Sequence, residues 1–195
     1  MPPTPPAGAA TKARHVALFR GINVGRAKRV AMADLRALIE RLGYGDVRTL
    51  LNSGNVVFGA PGVAAGDAAS RIEKALASKL SVASRVTVLR ATEIDSIVKD
   101  NPLLDVSDDP SRLMVAFLAN PADRARLAPM TRQRWTPDAI ALGRRVAYLW
   151  CPRGMLESPV AKEVGRVLGD AVTTRNWATV LKIHDLTRTG GRPEP

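Results

Sequence analysis

A single cysteine, Cys151, and two histidines, His15 and His184, are all that the sequence offers toward a Cys/His metal site or a thiol–imidazole pair. One cysteine excludes an internal disulfide and fits a reducing compartment, so a cytoplasmic protein is expected. Two histidines without a spaced ligand set exclude an ordinary zinc site, and no metal or other cofactor is expected. Aromatic residues make up 4% of the chain against 46% hydrophobic residues overall, so aliphatic side chains and alanine must fill the interior. Long apolar runs are missing too. The longest, Leu113 to Ala119, is far too short to span a bilayer, and no membrane association is expected. Residues 1–13 hold four prolines and no apolar core segment. They read as a disordered leader and not as a signal peptide.

Acidic residues are scarce at the start: none precedes Asp34. The whole chain carries 29 Lys+Arg against 18 Asp+Glu, a formal charge of +11. Such an excess attracts anionic partners, here a phosphate-bearing small molecule or nucleic acid held without sequence preference. The plainer alternative is compositional, since an Ala- and Arg-rich chain is basic anyway and surface charge aids solubility. Oligomeric state is not legible.

Hydrophobic periodicity orders the elements. Arg14 to Phe19 reads as a buried strand leading into the loop Arg20-Gly21-Ile22-Asn23-Val24-Gly25-Arg26-Ala27-Lys28-Arg29. Met32 to Leu42 shows helical spacing and stops at Gly43. Val47–Leu51 and Val56–Phe58 are strands around Asn52-Ser53-Gly54-Asn55, a hairpin signal. Asp67 is placed to cap a helix running to Leu80, and Val86–Leu89 is a strand. The order over 14–90 is β-α-β-β-α-β, a ferredoxin-like unit. Residues 91–109 form a linking helix and loop. Residues 110–188 repeat the order: a strand at 112–119, a helix from about Pro121, a hairpin of 139–142 and 146–151, a helix at 160–168, a short extended piece at 171–173 and a final helix from Arg175. Residues 189–195 read as a disordered tail. The expected fold is α+β, two ferredoxin-like halves packed together with an extra C-terminal helix. Both alternating sets of Leu113 to Leu118 are apolar, which implies a sheet covered on both faces.

Four segments, Arg20-Gly21-Ile22-Asn23-Val24-Gly25, Ser53-Gly54-Asn55-Val56-Val57-Phe58, Asn101-Pro102-Leu103 and Thr174-Arg175-Asn176-Trp177, occur in an order and spacing that resembles the bacterial family known as domain of unknown function 1697. The resemblance covers about residues 14 to 187. It departs at Ala178, where the family pattern has asparagine. The resemblance implies an α+β fold with ferredoxin-like halves and carries over no reaction, cofactor or catalytic residue.

The basic loop is the leading candidate site. Gly21 and Gly25 let a ligand approach the backbone, Arg20, Arg26 and Lys28 supply charge, and the helix that follows offers amides at its positive end. The glycine spacing is neither that of a P-loop nor that of a dinucleotide fingerprint. The competing view is a solvated basic connection. Asn52, Ser53 and Asn55 are candidates for a polar wall beside the loop, together with Asn23. Ser53 as a nucleophile lacks a recognisable base, and a plain turn is the stronger reading. Thr174 can cap the last helix and Trp177 can anchor it, which leaves Arg175 and Asn176 as possible ligand contacts. Cys151 reads as a small buried thiol. Asp105, Asp108 and Asp109 read as an ordinary turn beside Pro110. RNA reading by an open sheet needs exposed aromatics, and only Phe19 and Phe58 are available. The expected function is therefore binding of a nucleotide or nucleic acid in a basic cleft. The alternatives are a metal-independent enzyme acting on a small anion and a protein-interaction module.

Overall fold

The computed structural model describes residues 14–24 and 29–189. The leader at 1–13, the tail beyond Thr189, and Gly25, Arg26, Ala27 and Lys28 lie outside the described residues. The chain divides into two units, residues 1–95 with 183–195, and residues 96–182.

In the first unit the elements follow as β1 (Arg14–Phe19), α1 (Met32–Arg41), β2 (Gly45–Leu50), β3 (Asn55–Gly59), α2 (Ala65–Leu80) and β4 (Val86–Arg90). The strands form one antiparallel sheet in the order β2-β3-β1-β4. This is the ferredoxin-like arrangement: β1 lies between the hairpin strand β3 and the last strand β4. One face of the sheet presents Ala17, Phe19, Val56, Phe58, Val86 and Val88. Against it pack Leu35, Leu38 and Ile39 of α1 and Ile72 and Leu76 of α2, residues at the three- and four-residue spacing that makes one helix face. Each such side chain, fully buried, contributes up to about 1.5–3 kcal/mol. The alternate residues Val16, Leu18, Val57 and Leu89 are buried as well.

The second unit repeats the plan. α3 (Ala91–Lys99) precedes β5 (Leu113–Leu118), α4 (Arg124–Leu127), β6 (Ala139–Leu142), β7 (Val146–Trp150), α5 (Pro159–Leu168), β8 (Val172–Asn176) and α6 (Trp177–Arg188). The sheet order is β6-β7-β5-β8, again antiparallel throughout. Ala116, Leu118, Ala147, Leu149 and Cys151 pack with Val160, Val164 and Leu168 of α5. On the other face Val115, Phe117, Val146 and Tyr148 are also buried, so the two-sided apolar pattern of β5 corresponds to two-sided burial. The division between the units falls within α3 and within α6.

Several local expectations need correction. The helix expected from Pro121 is broken into a 3-10 turn at Pro121–Asp123, the single turn of α4 and a second 3-10 turn at Ala128–Arg132. Pro129 explains the break, because it has no amide to continue the ladder. Asp67 does not cap α2. The helix begins at Ala65, and Asp67 lies in its first turn, where a carboxylate still complements the dipole. The final helix starts at Trp177, not Arg175: β8 runs through Asn176, paired with Met114 of β5. Its cap is accordingly Asn176, whose Oδ1 accepts from the Thr179 amide at 2.9 Å, and not Thr174. β2 stops at Leu50 and leaves Leu51 in the turn, at φ 58°.

Candidate functional site

The basic loop and the Asn-Ser-Gly-Asn turn meet at one end of the first sheet. β1 delivers the chain at Phe19, and β3 begins beside it at Asn55. The Phe19 amide donates to the Gly54 carbonyl at 2.9 Å. Gly54 has φ 75°, and a Cβ there would lie 2.5 Å from Ile22 Cδ1 and 2.8 Å from Phe19 Cβ. Glycine is therefore required twice over, by its backbone angle and by the buried Ile22 and Phe19 that fill the space above it. On the other side of β1, the Arg20 amide donates to Arg85 O at 2.9 Å and the Ser84 hydroxyl donates to Arg20 O at 2.9 Å.

Asn23 closes the loop. Its Nδ2 donates to Val30 O and to Asn52 O, each at 2.9 Å, and its Oδ1 accepts from the Val30 amide at 2.8 Å. One amide side chain thus pins both ends of segment 24–29 and fastens the turn to it. Asn23 takes φ 57°, a left-handed conformation that asparagine tolerates better than most residues. Asn55 is buried, and its Nδ2 donates to Leu50 O at 2.8 Å and to Ser53 Oγ at 3.0 Å, which folds the turn back on its own strand. The surface of this rim is Gly21, Val24, Arg29, Leu51, Asn52 and Ser53, all exposed, with Arg20 half-buried beside them. α1 starts next to it with Ala31 at its N-cap, a residue with no side-chain acceptor to offer its first amides. Asp34 lies in the first turn of α1. Glu73 is occupied, accepting from the Val86 amide at 2.8 Å and lying 3.7 Å from Arg85.

The sequence candidates therefore separate. Arg20, Gly21, Asn23, Asn52, Ser53 and Asn55 gather at this rim, while Gly25, Arg26 and Lys28 belong to the same loop but lie outside the described residues. Arg175 and Asn176 belong to the second unit. Arg175 is buried in β8, with Nη1 donating to Thr173 Oγ1 at 3.0 Å and Thr174 O at 2.8 Å. Burial pulls its guanidinium down to about 10, still charged at neutral pH. Asn176 is engaged as a cap. Sequence reasoning missed Ile22, Gly54, Ser84 and Leu51 as parts of the rim. Gly54 was visible in its motif; nothing in the sequence placed Ser84 against Arg20.

The catalytic alternatives gain little. Ser53 Oγ accepts from Asn55, whereas His15 sits near the far end of β1, stacked on Phe58 with ring centroids 5.7 Å apart. His184 is 3.1 Å from Asp95. Cys151 is buried, and burial raises its thiol pKa despite a hydrogen bond involving Ser158, with nearby Asp138 raising it further. Among the described residues, no group of three or more His, Cys, Asp or Glu side chains could hold a metal ion. Hydrogen bonding by the Ser111 side chain, then by its amide at 2.8 Å, lowers the Asp109 pKa, and Arg112 adds to this. Asn101 likewise folds its own turn, accepting from the Leu103 amide at 3.0 Å. No helix of the described residues is long and apolar enough to cross a membrane.

The family model described as "Protein of unknown function (DUF1697)" matches residues 13–148, more than half of the chain. The chain belongs to this family. The DUF1697 match contains the whole rim and ends within β7, so Thr174 to Trp177 lie beyond it. A solved structure, described as that of the conserved bacterial protein SP0830 from Streptococcus pneumoniae, is similar with a TM-score of 0.74. It is 22% identical, and the alignment covers 89% of this chain and 98% of the other, a likeness of fold. No curated protein matches the chain.

Proposed function

We propose that this DUF1697 protein binds a phosphate-bearing ligand, a nucleotide or nucleic acid, at the rim formed by residues 20–31 and 51–54. The observation that carries the reading is the Asn23 clamp. It joins two motifs distant in sequence into one exposed, glycine-containing edge beside an uncapped helix start. Arg20, Arg26, Lys28 and Arg29 supply positive charge there, and no acidic residue interrupts the sequence before Asp34. Backbone amides and arginine or lysine side chains together are the usual means of holding phosphate. Binding is favoured over catalysis because Asn23 and Asn55 are tied to partners within the protein, and Ser53 Oγ accepts from Asn55 while His15 lies near the far end of β1.

The test is calorimetric titration of the full chain with pyrophosphate. Arg26→Ala combined with Lys28→Ala should weaken binding about tenfold or more, the loss expected for charge-assisted contacts. The matched control is Arg134→Ala with Arg144→Ala, two exposed arginines of the second unit. Equal weakening by both pairs would mean that the ligand senses net charge alone. Oligonucleotide binding, measured at two salt concentrations, should weaken steeply with salt and show no sequence preference.

A further inference from the structure

We draw no further inference here: the strongest candidate, the buried side-chain cluster of Cys151, Ser158 and Asp138 at the start of α5, is a lone cysteine beside a helix cap that Asp138 already holds, and nothing among the described residues points to a ligand there.

Discussion

The two sheets share one strand order, yet their first strand-to-helix connections are built differently. In the second unit β5 passes through residues 119–120 straight into a 3-10 turn, and Asn120 caps it by accepting from the Ala122 amide at 3.0 Å. In the first unit the equivalent connection is the long segment 20–31, pinned by Asn23. The helices differ in the same sense. α5 is closed by Ser158, which accepts from the Ala161 amide at 3.1 Å, and α6 by Asn176. α1 and α2 begin at Ala31 and Ala64 without any side-chain cap. The contrast is one of cap residue: Ser158 and Asn176 in the second unit, alanines in the first.

The contrast is sharpest at the two hairpin glycines. Gly54→Ala should cost about 2–4 kcal/mol in urea unfolding, since it adds a left-handed alanine to a clash with Ile22 and Phe19. Gly143→Ala should cost less, about 1–2 kcal/mol, because its Cβ would meet only the side chains of Val146 at 2.9 Å and Tyr148 at 3.0 Å. Equal costs would mean that the first hairpin is no more tightly specified than the second. Next come the asparagines. Asn23→Ala should lose about 1–3 kcal/mol for three hydrogen bonds, and Asn176→Ala about 1 kcal/mol for one cap. If Asn23→Ala is the milder change, the clamp does not hold the loop.

A smaller effect belongs to the second unit alone. The Tyr148 hydroxyl is buried and donates to Ile97 O at 2.9 Å. Burial, with Asp100 nearby, pushes its pKa up to about 12 from an ordinary 10. The neutral form is favoured by folding, so this contribution is complete below about pH 10 and is lost as pH rises toward 12. Tyr148→Phe should cost about 1 kcal/mol at neutral pH and flatten the alkaline fall in stability. An alkaline limb identical to that of the unsubstituted protein would remove Tyr148 as its cause.

Apolar alternation made most strands legible, and the β-α-β-β-α-β order followed from it without any repeat at the residue level. The failures have physical causes. Val172-Thr173-Thr174-Arg175-Asn176 carries little alternation, and only its ladder with β5 makes it a strand, so tertiary pairing overrides local pattern. Pro129 interrupts an otherwise helical pattern, and its missing amide decides the local structure. At the rim the sequence displayed Asn23, Gly54 and Asn55 as motif letters. Their partners, Val30, Ile22 and Leu50, come from hydrogen bonding and packing that spacing cannot reveal. Leu51 looked like the last residue of a strand because its left-handed angle leaves no mark in the sequence.

The first unit is assembled from both ends of the chain. Buried Arg14, at the start of β1, donates to Thr187 O at 2.9 Å and Thr189 O at 3.1 Å and pairs with Asp46 at 2.8 Å; Arg48 adds a second donor to Thr189 O at 3.1 Å. During synthesis, β1 leaves the ribosome before the other strands, yet the carbonyls that receive its arginine are made after all of them. A nascent chain stopped at residue 95 has every strand of the first sheet and still lacks those acceptors. The half that carries the candidate site thus gains its full stability only after residues 96–182 have been translated.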